Sequence, residues 1–193
     1  MSGQLSFFSA SVQPPSYDDL DGLLAAPGQV VRRAETARLS VVVADQWRVD
    51  AVLTGLEELG LVGQTTPTSG GEGLAVGTGF TAELLPLAQR WVRGAVKSPP
   101  AGFALDGPRL RWWCIAAGRH DAVGYVLGLG TGDELVWPAT GAALAALGVP
   151  AAFIGPRAHG PAYRVVGARR LVRLRELVGD PPEQSPAGSW PLG

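Results

Sequence analysis

The chain has 193 residues, 46% of them hydrophobic and 17% charged. This balance excludes a disordered polymer and allows one domain of ordinary size or two small halves that share a core. A single cysteine excludes an internal disulfide, two histidines beside it are too few for a zinc site of the usual spacing, and no stretch reaches the roughly 18 apolar residues of a membrane span. The net charge of −1 hides an asymmetry: residues 1–86 carry four basic and ten acidic side chains, residues 87–178 carry twelve basic and five acidic. A skew of that kind is a hint of a polyanion surface in the second half.

Residues 1–16 read as a flexible N-terminus, without the positive charge or apolar length of a secretory leader, so a cytoplasmic location is expected. "DDLDGLLAA" reads as a helix stopped by Pro27-Gly28. "QVVRRA" and "RLSVVVA" form a hairpin, and "DQWRVDAVLTGLEELG" a helix with Asp45 as cap and Gly60 as stop. "LVGQTT" and "GLAVGTG" give a second hairpin and "TAELLP" a short helix. From Leu87 the order repeats: "LAQRWVRGAVKS" as helix stopped by Pro99-Pro100, "RLRWWCIAA" and "AVGYVLGLG" as strands, "DELVWPATGAALAALG" as helix, "AAFIGP" and "AYRVVG" as strands, "ARRLVRLRELVG" as helix. An offset of 88 residues sets "LEELGLVG" against "LAALGVPA" and Asp45 against Asp133, in keeping with an internal duplication. The expected organisation is therefore an α+β chain of two pseudo-symmetric helix-hairpin-helix-hairpin-helix halves, 17–86 and 87–179, with residues 180–193 as a disordered Pro-rich tail.

That element order resembles the LAGLIDADG homing endonuclease fold, and "LDGLLAAPG" lines up with its nine-letter motif without a gap. The second copy, "AQRWVRGAV", and the tail pattern of "PAYRVVGARRLVRLRELVG" are similar to WhiA-type sporulation transcription factors. The resemblance implies two helices side by side at a pseudo-twofold axis. Gly22, Ala25 and Ala26 would meet Gly94 and Ala95 there, while Leu20, Leu23, Leu24, Val92 and Val96 face the two cores. In the family an acid at the eighth motif position holds the metal ions; Pro27 and Pro99 occupy those positions here, which implies a protein that is not an enzyme and has no cofactor. What remains is a saddle of strands that grips double-stranded DNA without cutting it, as a transcriptional or developmental regulator would. Nothing after residue 180 reads as the helix-turn-helix domain that the WhiA-like factors carry, so sequence reading by such a domain is not expected.

Alternation on the expected strand "RLRWWC" puts Arg109, Arg111 and Trp113 on one face, for DNA, and Leu110, Trp112 and Cys114 on the other. Arg33, Arg38 and Arg164 join that row from other strands, and Arg157 and His159 from the "PRAHGP" turn, since Arg pairs bidentately with phosphate or guanine. Three readings compete. The acidic first half or the tail Trp190 would suit a protein partner without nucleic acid; Gly128, Gly130 and Gly132 resemble a nucleotide- or S-adenosylmethionine-binding turn; and Cys114 with His120 and Asp121 would make a nucleophilic site.

Overall fold

The computed structural model describes residues 14–68, 73–157 and 160–191. Ser16 starts the first element with a reciprocal cap: its hydroxyl accepts from the Asp18 amide at 3.3 Å, and Asp19 accepts from the Ser16 amide at 2.8 Å. A 3-10 turn, Tyr17–Leu20, then runs into helix α1, Asp21–Ala25, which ends before Pro27. Strands β1, Gln29–Arg33, and β2, Thr36–Val43, alternate as period two requires, with Val30, Ala37, Leu39, Val41 and Val43 buried and their neighbours outward. Helix α2, Gln46–Glu58, strands β3, Gly63–Pro67, and β4, Leu74–Thr78, and helix α3, Leu85–Trp91, complete the first set.

A two-residue hairpin follows, β5, Val92–Arg93, with β6, Val96–Lys97. The element order then resumes with α4, Gly107–Ala117, β7, Gly118–His120, β8, Tyr125–Gly128, α5, Val136–Ala146, β9, Ala152–Ile154, β10, Ala162–Val165, and α6, Ala168–Val178. The two four-stranded sheets have the same antiparallel order, β1-β2-β4-β3 and β7-β8-β10-β9. One continuous apolar core joins both sets, with Leu20, Leu24, Leu56, Trp91, Leu110, Trp113, Leu127 and Leu144 fully buried. The α+β class with two like sets of elements is the architecture found.

The partner of α1 differs from the one expected. It is α4, not the segment at 87–98. A Cβ added to Gly22 would stand 1.8 Å from the Arg109 carbonyl oxygen, so the two backbones meet there because residue 22 has no side chain. Gly94 and Ala95 are instead exposed in the β5–β6 turn, where Gly94 adopts φ +66, and Val96 is exposed as well. Leu87, where the repeat was expected to begin, lies inside α3, which packs on β1 and β2. "RLRWWCIAA" is helix, not strand: Asp106 accepts from the Arg109 amide at 3.0 Å and Pro108 occupies the first turn, so the helix starts there.

The segment after α6 also departs from expectation. Residues 180–191 fold back on the body, and Trp190 is 4% exposed, donating its indole N–H to the Gly179 carbonyl at 2.9 Å. His120 Nε2 donates to the Trp190 carbonyl at 3.1 Å, and the Arg111 guanidinium stacks 5.2 Å from the Trp190 ring centre. A side chain held this way is not a free docking peptide.

Candidate nucleic-acid interface

Because directly paired residues of antiparallel strands share a face, the registers assign each sheet's outer surface. In the first sheet Gln29, Ser40, Gly77 and Gln64 form one row, Val31 and Arg38 the next, and Arg33 with Thr36 the last. Phe80, just beyond β4, places its ring 4.4 Å from the Arg33 guanidinium carbon and 5.2 Å from that of Arg38. The ring braces two exposed cations by cation–π attraction, leaving their N–H edges free to donate. In the second sheet Arg119, Val126, Arg164 and Ala152 make one row, on the side opposite the core residues Tyr125, Leu127, Tyr163 and Val165. Arg119 is exposed, and Arg164 is half-buried against Asp121, with Nη2 to Oδ2 at 2.6 Å. Asp121 also accepts from the Val123 and Gly124 amides, and these bonds with Arg164 hold its carboxyl below the usual range.

Three of the expected contact residues are elsewhere. Arg109 pairs with Asp106 at 2.5 Å and donates to the Asp18 carbonyl, Arg111 donates to the Val178 and Asp180 carbonyls, and Trp113 is fully buried with its indole N–H on the Gly128 carbonyl at 2.7 Å. All three belong to α4, where a helix packed on several sides has no strand face to offer. Arg157 is exposed in the β9–β10 loop, and His159 lies outside the described residues.

Sequence reasoning missed two buried cations at the ends of the paired helices. Arg48, 8% exposed, donates to the carbonyls of Cys114 at 3.2 Å, Ile115 at 2.5 Å and Gly118 at 2.5 Å, and pairs with Asp45 at 2.9 Å. Lys97, 9% exposed, donates to the carbonyls of Ala26 at 3.3 Å and Gly28 at 2.8 Å, and pairs with Asp133 at 2.5 Å. Each cation meets the negative, carbonyl-rich end of one helix, and each is held by the acid that precedes α2 or α5. The offset of Asp45 from Asp133 thus marks one arrangement built twice. Gly118, ninth in "LRWWCIAAG", corresponds to Gly28, and the eighth positions are Pro27 and Ala117. These donor sets do not fit a divalent metal, because every carbonyl named already accepts from a side-chain cation and each end has one carboxylate. No group of three or more His, Cys, Asp or Glu that could hold a metal occurs among the described residues.

The competing sites do not assemble. Cys114 is fully buried and burial pushes its thiol up to about 12, while His120 is on the tail and Asp121 on Arg164. The 128–132 turn is filled by its own chain: a Cβ on Gly130 would stand 1.9 Å from Asp133, and Trp137 donates to the Gly130 carbonyl at 3.1 Å.

The arrangement defines the fold of the LAGLIDADG homing endonucleases. No family model and no curated protein matches the chain. Among solved structures it is similar to the homing endonuclease I-WcaI bound to its DNA recognition sequence, with a TM-score of 0.60 and 11% identity over 92% of this chain and 89% of that one. The expectation that the chain is not an enzyme is corrected by this finding, since the solved structure it resembles is that of an endonuclease. Of the two stretches behind the WhiA likeness, "AQRWVRGAV" is the end of α3 and the β5–β6 hairpin, not a paired helix, and "PAYRVVGARRLVRLRELVG" spans β10 and α6. No helix is long and apolar enough to cross a membrane among the described residues.

Proposed function

We propose that this chain binds duplex DNA with the outer faces of its two four-stranded sheets. The observation that carries the reading is the charge of those strands. Their outer rows carry Arg33, Arg38, Arg119 and Arg164, and none of the eight strands holds an Asp or Glu, in a chain whose acids outnumber its basic residues. A polyanion is drawn to such a surface whatever the net charge of the molecule. The DNA-bound endonuclease that shares the fold supports the same assignment.

The first sheet makes the stronger contribution. Arg33 and Arg38 are exposed and braced by Phe80, whereas Arg164 must leave Asp121 before it can meet a phosphate. Arg157 adds a contact from the β9–β10 loop. Hydrogen exchange of the protein with and without a duplex tests the assignment. The reading expects protection on β1, β2 and the loop after β4; protection confined to the helices α2, α4 and α6 sinks it.

A further inference from the structure

On the helix side of the first sheet lies an open cleft of about 490 Å³, a size common for ligand sites. Trp112 of α4, 8% exposed, contributes an edge to its lining, the ring packed so close to α2 that a Cβ on Gly55 would stand 2.6 Å away. Along α2, Asp50, Thr54 and Glu58 recur every four residues and make one wall. Residues 181–184 of the folded-back tail, with Glu183, and Asp19 also line the cleft.

These carboxylates are short of partners. Asp19 is 8% exposed and accepts from the Ser16 amide, with no cation in ion-pair reach among the described residues. Asp50 accepts from the Gln46 side-chain amide at 2.8 Å, and neither Glu58 nor Glu183 is ion-paired among the described residues. The lining cation, Arg111, is committed to the tail carbonyls of Val178 and Asp180 and to the Trp190 ring. Burial holds the Asp19 carboxyl above its ordinary value, with the Ser16 amide bond and the more distant Arg109 charge offsetting only part of the desolvation.

We infer that this cleft docks a basic segment of a protein partner, with an arginine guanidinium held among Asp19, Asp50, Glu58 and Glu183. Charge complementarity selects the occupant: four carboxylates face one committed cation. The same charges repel nucleic acid, so this face and the sheet faces take different partners. The inference does not depend on DNA binding.

The test is an NMR titration of the full chain with the capped peptide acetyl-Gly-Arg-Gly-amide, alongside its Glu counterpart and putrescine. The Arg peptide is expected to shift the Trp112 indole signal and the amides of α2 and residues 181–184, saturably and at millimolar concentration. The Glu peptide should leave those signals unmoved. Asp50→Asn/Glu58→Gln/Glu183→Gln, none of them at a buried position, should weaken the Arg peptide roughly tenfold or more while amide dispersion elsewhere is kept. No saturable shift, or shifts that the triple variant leaves unchanged, overturns the inference. Tighter binding of putrescine than of the Arg peptide also overturns it, because the site would then serve a free polyamine.

Discussion

Lys97→Met removes one of the two cations that close the paired helices. In the native chain Nζ serves three oxygens, Asp133 at 2.5 Å and the carbonyls of Gly28 at 2.8 Å and Ala26 at 3.3 Å, and both side chains of the ion pair are about nine-tenths buried. Methionine fills most of the volume but leaves Asp133 charged, with the Gln29 amide at 3.4 Å as its remaining donor. Breaking a buried pair by deleting one partner costs about 3–5 kcal/mol, because a charge is left without compensation. In a chain of this size 1 kcal/mol moves Tm by about 2–4 °C, so a fall of roughly 6–20 °C is expected in calorimetry. Lys97→Met/Asp133→Leu should recover most of that loss, since a well-packed apolar pair often matches a buried ion pair. A single variant within about 1 kcal/mol of the wild type refutes the reasoning. So does a double variant as unstable as the single, which would assign the cost to poorer packing.

Three further outcomes follow from the packing. Gly22→Ala should lower stability by about 1–3 kcal/mol or more in urea titration, since its Cβ would meet the Arg109 backbone at 1.8 Å; an unchanged midpoint would mean that the helices part freely. Trp190→Ala should cost about 3 kcal/mol and raise amide exchange through residues 180–191, whereas a loss below about 0.5 kcal/mol would show that the tail adds little. Asp121 has a folded pKa below its unfolded value, so its contribution is present above the ordinary carboxylate range and is lost as pH falls through the folded pKa. Asp121→Asn should therefore be less stable than the wild type at neutral pH, with the difference vanishing in strong acid. A difference that is constant with pH contradicts that origin.

Much of the architecture was legible because its elements have one wet side. β1 and β2 alternate, and α6 carries Arg169, Arg173 and Glu176 opposite Leu171, Leu174 and Val178, so period and caps are visible in the letters. α4 was not legible for the opposite reason. Packed against α1, α2 and α6, it buries Leu110 and every residue from Trp112 to Ala116, so it has little polar face to show a period, and "RLRW" alternates by chance. The Asp106-Gly107-Pro108 start was the available signal. The site was obscured by pooling charge over whole halves. The first half sums to −6, yet its described acids lie in helices and loops, and the charged residues of its strands are all arginines. Beyond Asp45 and Gly179, Arg48 and Trp190 take partners 70 residues away in the chain, Gly118 and His120, which nothing local marks.

Fluorescence anisotropy of a labelled duplex across a salt series, for the wild type and for Arg33→Ala/Arg38→Ala, tests the central claim most directly. Each arginine–phosphate pair that a substitution removes lowers the slope of log affinity against log salt by about 0.9, so the double variant should bind more weakly and its slope should be shallower by about 1.8. Absence of binding at low salt, or a slope that the two substitutions leave unchanged, would contradict the assignment of the strand faces to DNA.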